Sequence, residues 1–283
     1  PPMSRERTST RRNEPKSGQY AIDGASGSEN AWIIDGVERS SIQNGTLGAS
    51  ARIPYEFVQE VEVKSSGFES QYPATTGGVI NAVTRSGGND FHGQVGLYFD
   101  NDVLIARPRE TLRLSPLDSS QNTVEYFANR RDPYRELGPV VTLGGKIIKD
   151  QAWFFAGWSP TFRRTTRVTT LFDDPAKTPQ EWATTSRRDY LTGKVDYAPL
   201  AQLRAFVSYL YSPGKTNGNL PAQDGTSRST TPFTQLGSRA PAANYNWSVT
   251  YTPTATLVLS YHGGYVYTNS KSYGVPSSVF SSK

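Results

Sequence analysis

Two histidines, His92 and His262, are the only imidazoles in 283 residues, and there is no cysteine. Thiolate nucleophiles, thiolate zinc sites and disulfide frameworks are therefore excluded. A Ser–His–Asp relay can be drawn from the available residues, but no nucleophile elbow supports it, and both histidines fall on strand-like segments. The stretches "IDGASGSEN" and "IIDGVE" collect Asp23, Glu29, Asp35 and Glu38. Their spacing lacks the alternating ligand positions of a calcium loop and reads as two Asp-Gly turns. No phosphate-cradling GxxxxGK[ST] occurs, and the Arg-, Asp-, Pro- and Gly-rich stretches lack a selective metal set. The expectation is a protein that is not an enzyme and carries no cofactor.

Bulk properties point to a different kind of chemistry. Hydrophobic residues make up only 35% and mean hydropathy is −0.56, yet aromatics reach 12% with 16 Tyr. A polar, aromatic-rich chain suits strands with one face toward water and the other toward something apolar. The net charge of +5 is spread out rather than striped, so nucleic acid is not an expected partner. The basic run "SRERTSTRR" reads as part of a mobile terminal segment, residues 1–19. No apolar run reaches the ~20 residues of a transmembrane helix. The chain opens "PPMS" with no signal peptide, as a processed or partial chain would.

The elements that must position any site change character near residue 90. Before it, "AWIIDGV" reads as a strand ending in an Asp-Gly turn, and Pro54 suits the first turn of a helix over "IPYEFVQE". Strands follow at Val61–Lys64 and Val79–Thr84, giving a small α+β unit over residues 20–88. From 89 to 283 about seven segments alternate in polarity over ~8–11 residues, the length that crosses a bilayer at a tilt. The fourth sets Leu191, Gly193, Val195 and Tyr197 opposite Thr192, Lys194 and Asp196. The sixth sets Tyr245, Trp247, Val249 and Tyr251 opposite Asn, Ser and Thr.

Connections alternate long and short: about 101–137, 149–150, 168–187, 199–201, 212–243 and 253–255. An up-and-down sheet whose two ends face different surroundings predicts this parity, whereas a soluble β-sandwich does not. Tyr and Trp cluster near the strand ends, as interfacial girdles require; cross-strand pairs in a sandwich core are the other reading.

"WIIDGVE", "IPYEFVQEVEVKSSG" and "TGGVINAVTRSGGNDFHG", in that order, resemble the end of the plug domain of TonB-dependent outer-membrane receptors. "TRSGGNDFHG" with "GGKIIKDQAWFFAGWSPTFRR" is similar to the Oar-like branch. The resemblance implies a plug inside a 22-stranded barrel in the outer membrane of a Gram-negative bacterium, driven by a periplasmic TonB-type protein. It makes 20–88 the C-terminal part of the plug and 89–283 the first part of the wall. Seven strands cannot close around a plug, so further strands are expected from a longer chain or from another one.

The same resemblance gives Glu60, Glu62 and Arg85 as candidates for ion pairs between plug and wall. Gly87 and Gly88 stand at the joint, where glycine allows a sharp turn. The implied function is gated passage of a large or scarce substrate, with outer-membrane lipid and the energising protein as partners. Two alternatives stay open: a non-transporting outer-membrane anchor whose loops bind another surface protein, and a soluble secreted β-protein.

Overall fold

The period-two alternation from residue 91 onward produces what it must, a run of extended strands. The structure is a computed structural model that describes residues 3–5, 20–22, 25, 27–40, 47, 52–65, 77–106, 109–115, 123–127 and 131–274. Most of the expected mobile segment 1–19 lies outside the described residues. Within it, β1 (Met3–Arg5) pairs antiparallel with β2 (Tyr20–Ile22).

A four-stranded sheet is made by β3 (Ala31–Ile34), β4 (Val37–Glu38), β5 (Val58–Lys64) and β6 (Val79–Thr84), in the order β4-β3-β6-β5. Asp35 and Gly36 both take positive φ, 50° and 79°, which makes the β3–β4 hairpin turn that Asp-Gly favours. One expectation fails here. The segment after Pro54 is no helix but a single 3-10 turn, Tyr55–Phe57, leading directly into β5. Val58, Val61 and Val63 favour a strand, and β5 gains a full antiparallel partner in β6. Among the described residues the small unit is therefore a β-sheet with short 3-10 turns rather than α+β.

The rest is a curled antiparallel sheet. Its strands are β7 (His92–Asn101), β10 (Tyr134–Ile148), β11 (Ala152–Trp158), β12 (Thr161–Thr169), β13 (Gln180–Arg188), β14 (Leu191–Leu200), β15 (Leu203–Tyr211), β16 (Gly214–Asn217), β17 (Gly237–Ala240), β18 (Ala242–Thr254), β19 (Leu257–Thr268) and β20 (Lys271–Tyr273). A separate hairpin, β8 (Thr111–Leu114) and β9 (Val124–Phe127), lies in the first long connection. Pairing runs β7-β10-β11-β14-β15-β18-β19, each strand beside its predecessor. The expected seven segments are thus seven chain passes. Tight turns join them at 149–151, 201–202 and 255–256, and long connections join them at the other end. The long links are shorter than the sequence pattern suggests. The polar, β-branched run "TFRRTTRVT" stays in the ladder as β12, and β13, β16 and β17 extend the sheet beside it.

Breaks fall at one level across the sheet, between β11 and β12, β13 and β14, β15 and β16, and β17 and β18. Pro160, Pro213 and Pro241 sit in three of them and donate nothing to a ladder. Pairing nevertheless carries through: Ser159 and Tyr190 exchange both backbone bonds, and Ser212 N–H donates to Ala242 O at 2.8 Å.

Polarity across this sheet is inverted. The exposed side chains are the apolar ones: Val95 is 82% exposed, Leu97 65% and Val207 57%. Thr142, Thr192, Lys194, Ser208, Asn244, Asn246 and Ser248 are buried on the concave face. Tyr209 pairs across strands with Tyr245, and Tyr245 with Tyr265, at centroid separations of 4.7 and 6.4 Å on the outer face. Tyr197 and Tyr251 stand exposed near the tight turns. Tyr98 is an exception, meeting Tyr55 of the small sheet's 3-10 turn. No helix among the described residues is long and apolar enough to cross a membrane, a test that does not bear on strands. Exposed apolar and buried polar faces make this a wall against lipid.

A charge on the outer face near mid-height should therefore be costly. Val195→Arg is expected to destabilise the protein in lipid vesicles by about 2–4 kcal/mol, read by reversible urea unfolding. Unaltered stability would put this face outside the bilayer.

Candidate functional site between the small sheet and the wall

The hairpin turn of β3–β4 presses into the concave face, and its aspartate becomes the hub of a buried network. Thr84 donates to Asp35 twice, from N–H at 2.9 Å and from Oγ1 at 2.7 Å, tying β6 to the turn. Ser208 Oγ, on β15 of the wall, donates to Asp35 Oδ2 at 2.9 Å. Lys194 Nζ, on β14, lies 3.7 Å from Asp35 Oδ1 and donates to Thr84 O at 3.1 Å. The Asp35 and Lys194 side chains are 1% and 4% exposed. Lys194 also stands 4.7 Å from the centre of the Phe206 ring.

A second arm runs from Arg39, just after β4. Its guanidinium donates to Asn244 Oδ1 at 3.0 Å and to Asn246 Oδ1, both on β18. Asn246 Nδ2 in turn donates to Ser208 Oγ at 3.3 Å, closing the path back to Asp35. Burial lowers the Arg39 pKa to about 10, against the opposing pull of Asp35, so the group stays charged at neutral pH. Asp196, on the same face as Lys194, accepts from Ser86 and keeps Oδ2 unpartnered. Two carboxylates, Asp35 and Asp196, and two cations, Arg39 and Lys194, thus balance within this network, and the space left beside it is about 10 Å³, no more than one water needs.

Apolar seating lies beside it. Phe57 is fully buried against Val140 and Phe155, with its ring 6.4 Å from that of Phe155. The site of a Cβ on Gly157 is filled by the Phe57 ring. On β19, a Cβ at Gly264 would come 2.7 Å from Val37 Cγ1, so the hairpin tip touches this strand also.

The joint at 86–90 is fastened rather than free. Asn89 Oδ1 accepts from Trp153 Nε1 at 2.8 Å and from Asp150 N–H at 3.0 Å, while its amide reaches Asp150 Oδ1. "SGGND" and "KDQAW" meet at the first tight turn, although Asn89 and Asp150 are 61 positions apart in sequence. Neither Gly87 nor Gly88 takes a positive φ. What requires glycine at 87 is close approach, because a Cβ would collide with the carbonyl oxygens of Phe154 and Gly145.

The residues named from the family pattern are placed differently. Glu60 is exposed on β5, Glu62 pairs with Lys64 at 3.8 Å, and Arg85 Nε donates to Val58 O at 3.3 Å. Among the described residues none of the three forms an ion pair with the wall. Asp35, Arg39 and Lys194 span the seam instead. A lysine on the inward, polar side of a strand was the available signal. His92 Nδ1 donates locally, to Asp90 O at 3.1 Å, and the residue stays exposed.

The long connections also make one body. Arg167 Nε bridges both carboxylate oxygens of Asp132 at 3.0 Å, and Leu171, Trp182 and Phe233 form an apolar cluster. Arg113 pairs with Glu125 at 2.7 Å and with Asp224 at 2.8 Å. Burial pushes the Asp224 carboxyl up, but bonds from Thr226 and Arg113 outweigh it and leave its pKa lowered. A lowered folded-state pKa adds stability above the unfolded value that is lost as pH falls through the folded one.

Two outcomes follow from the geometry. Lys194→Ala strands the Asp35 charge and should cost about 3–5 kcal/mol, whereas Lys194→Met with Asp35→Asn should recover part of it; thermal unfolding in detergent distinguishes them. A loss below about 1 kcal/mol for the single variant would mean the pair is solvated. The loop body should resist limited proteolysis from neutral pH down to about 4 and open only in stronger acid, while Asp224→Asn opens it at pH 7.

No family profile matches the chain. Over 152 residues, 53% of this chain, it is 35% identical to the TonB-dependent transporter Oar of Myxococcus xanthus, and the match spans 13% of that protein. The FrpB iron transporter from Neisseria meningitidis (F3-3 variant) aligns over 86% of this chain and 42% of its own, with a TM-score of 0.45 and 13% identity. By sequence the chain is thus similar, over about half of its length, to a small part of a TonB-dependent transporter, and its own structure is a curled antiparallel sheet.

Proposed function

We propose that the chain contributes the end of a plug, residues 20–88, and the first part of a barrel wall, residues 89–283, to a gated outer-membrane transporter. The observation that carries this reading is the Asp35–Lys194 seam. It is polar, charge-balanced and held by few side chains, on a sheet whose other face suits lipid. A permanent core would be cheaper to build from apolar residues, since a buried ion pair gains little over a hydrophobic replacement. A seam of hydrogen bonds can be exchanged for water when the plug is pulled, and remade afterwards.

In this scheme an energising protein of the TonB type pulls the plug from the periplasm. Glu60, Glu62 and Arg85 then remain candidates to pair with wall strands beyond those described, and Gly87 and Gly88 form the tether. The protein supplies a pore, a gate and a loop surface, with no covalent chemistry of its own. The substrate enters or leaves as the plug shifts; its identity is carried by the loops.

Absence of cysteine permits a direct test. Val37→Cys with Gly264→Cys places two thiols within disulfide reach across the seam. Oxidation should lock the gate, and reduction should release it. Vancomycin, too large for ordinary porins, serves as the probe in cells carrying Lys194→Ala. The weakened seam should raise vancomycin sensitivity, and the added disulfide should cancel that rise. Sensitivity unaffected by either change would argue for the non-transporting anchor.

A further inference from the structure

Four tyrosines on the outer face have no part in the transport scheme. Tyr209, Tyr245 and Tyr265 are direct cross-strand neighbours on β15, β18 and β19, and Tyr211 stands two positions above Tyr209 on the same face. The Tyr209 and Tyr245 ring centroids are 4.7 Å apart, with the rings tilted by 33°. Tyr211 stacks on Tyr209 at 6.3 Å, and Tyr265 lies 6.4 Å from Tyr245. Every other aromatic pair among the described residues is separated by 5.9 Å or more, so Tyr209 and Tyr245 are set apart by their closeness.

The cluster lies just below the break level, beside the row that joins Trp158, Leu191 and Tyr211, at the long-connection edge of the apolar band. An interfacial anchor there needs separate rings, each with its body in lipid and its hydroxyl in water. Four phenols in mutual contact exceed that need. What distinguishes them from the valines and leucines of the same face is an O–H bond that yields its hydrogen atom to a radical. Lipid peroxyl radicals are the class this height would meet, because the polar peroxyl group draws the oxidised part of an acyl chain up toward the interface.

We propose that Tyr209 and Tyr245 are a modification site, where the cluster intercepts lipid peroxyl radicals and is converted to a dityrosine link between β15 and β18. Each peroxyl radical takes one hydrogen atom from a phenol hydroxyl and leaves as a lipid hydroperoxide, and the ring keeps the unpaired electron. A radical on Tyr211 or Tyr265 takes a hydrogen atom from the phenol beside it, which moves the unpaired electron to the closest pair. Radicals on Tyr209 and Tyr245 then join through ring carbons ortho to their oxygens. Each of those carbons passes its hydrogen to its own ring oxygen, restoring both hydroxyls. In sum, two peroxyl radicals are reduced, two phenols are oxidised, and one C–C bond replaces two C–H bonds. The pair already faces across adjacent strands of one ladder, so ring rotation brings the carbons together without a backbone shift. The proposal rests on the reading of the outer face as lipid-facing and not on transport.

The test places the protein in vesicles of polyunsaturated phosphatidylcholine and starts peroxidation with a lipid-soluble azo initiator. Dityrosine fluorescence reports the yield, and mass spectrometry of digested protein locates the linked peptides. One intramolecular link, Tyr209 to Tyr245, is expected, with the loss of two hydrogen atoms from the chain. Tyr209→Phe should abolish it, Tyr211→Phe combined with Tyr265→Phe should lower its yield, and Tyr197→Phe near a tight turn should preserve it. In the parent protein, links scattered over many tyrosines, links only between molecules, or no link at all overturn the proposal, whether or not the variants fold. An equal yield from a water-soluble initiator in saturated vesicles overturns it too, assigning the chemistry to oxidants in water. If no link forms but detergent is still needed for extraction, the proposal falls and the lipid-facing wall stands. Release from membranes by salt alone removes both.

Discussion

A sheet that turns its apolar side chains outward has to dispose of its polar ones on the concave face. There, where the small sheet covers them and excludes water, each must find a partner. Removing a polar group from water without replacing its hydrogen bonds costs more than the finished bond contributes. Lys194, Ser208, Asn244 and Asn246 are inward because Val195, Val207, Tyr245 and Trp247 are outward, and strand geometry allows no other arrangement. The small sheet meets this demand. Its turn brings Asp35 and Arg39 to those four side chains, and the resulting set carries no net charge once Asp196 is included.

The same constraint explains why so much of the contact is made by a hairpin turn. A turn projects side chains and unpaired backbone together, and positive φ at Asp35 and Gly36 lets the chain reverse within two residues. Thr84 clamps the carboxylate from the adjoining β6, which fixes its direction before it meets the wall. Further along, Phe57 and Asn89 anchor the small sheet and the joint to β10 and β11 by apolar packing and side-chain hydrogen bonds. The seam therefore combines one polar exchangeable zone with a drier seat beside it. Under the proposed transport function that combination has a use, since a gate needs both a resting position and a way to leave it.

Much was legible in the sequence. Alternation at period two requires that Leu191, Gly193, Val195 and Tyr197 share one face, whatever the fold, and the parity of long and short links set the up-and-down order. "WIIDGVE" marked the hairpin because Asp-Gly favours its turn, whereas "SGGNDFHG" marked the joint for a different reason, the close approach of Gly87 to the β10 and β11 backbone. The helix expected after Pro54 was misread because a proline at a first turn looks the same whether or not a helix follows. Its valines and its β6 partner decide for a strand, and that partner lies about twenty residues away.

Tertiary structure alone decided which charges meet. Glu60, Glu62 and Arg85 share the small sheet with Asp35, and no local pattern says that only Asp35 stands opposite a lysine 159 positions later. The alignment of Arg187, Lys215, Arg239 and Lys271 is equally invisible in the chain, because each cation lies in a different strand and only register brings them into a row. Periodicity is a property of neighbours in sequence, so the sequence by itself determined which face each side chain takes. Pairing between distant strands is set by hydrogen-bond register and closure of the curled sheet, so only the folded wall determined what each face confronts.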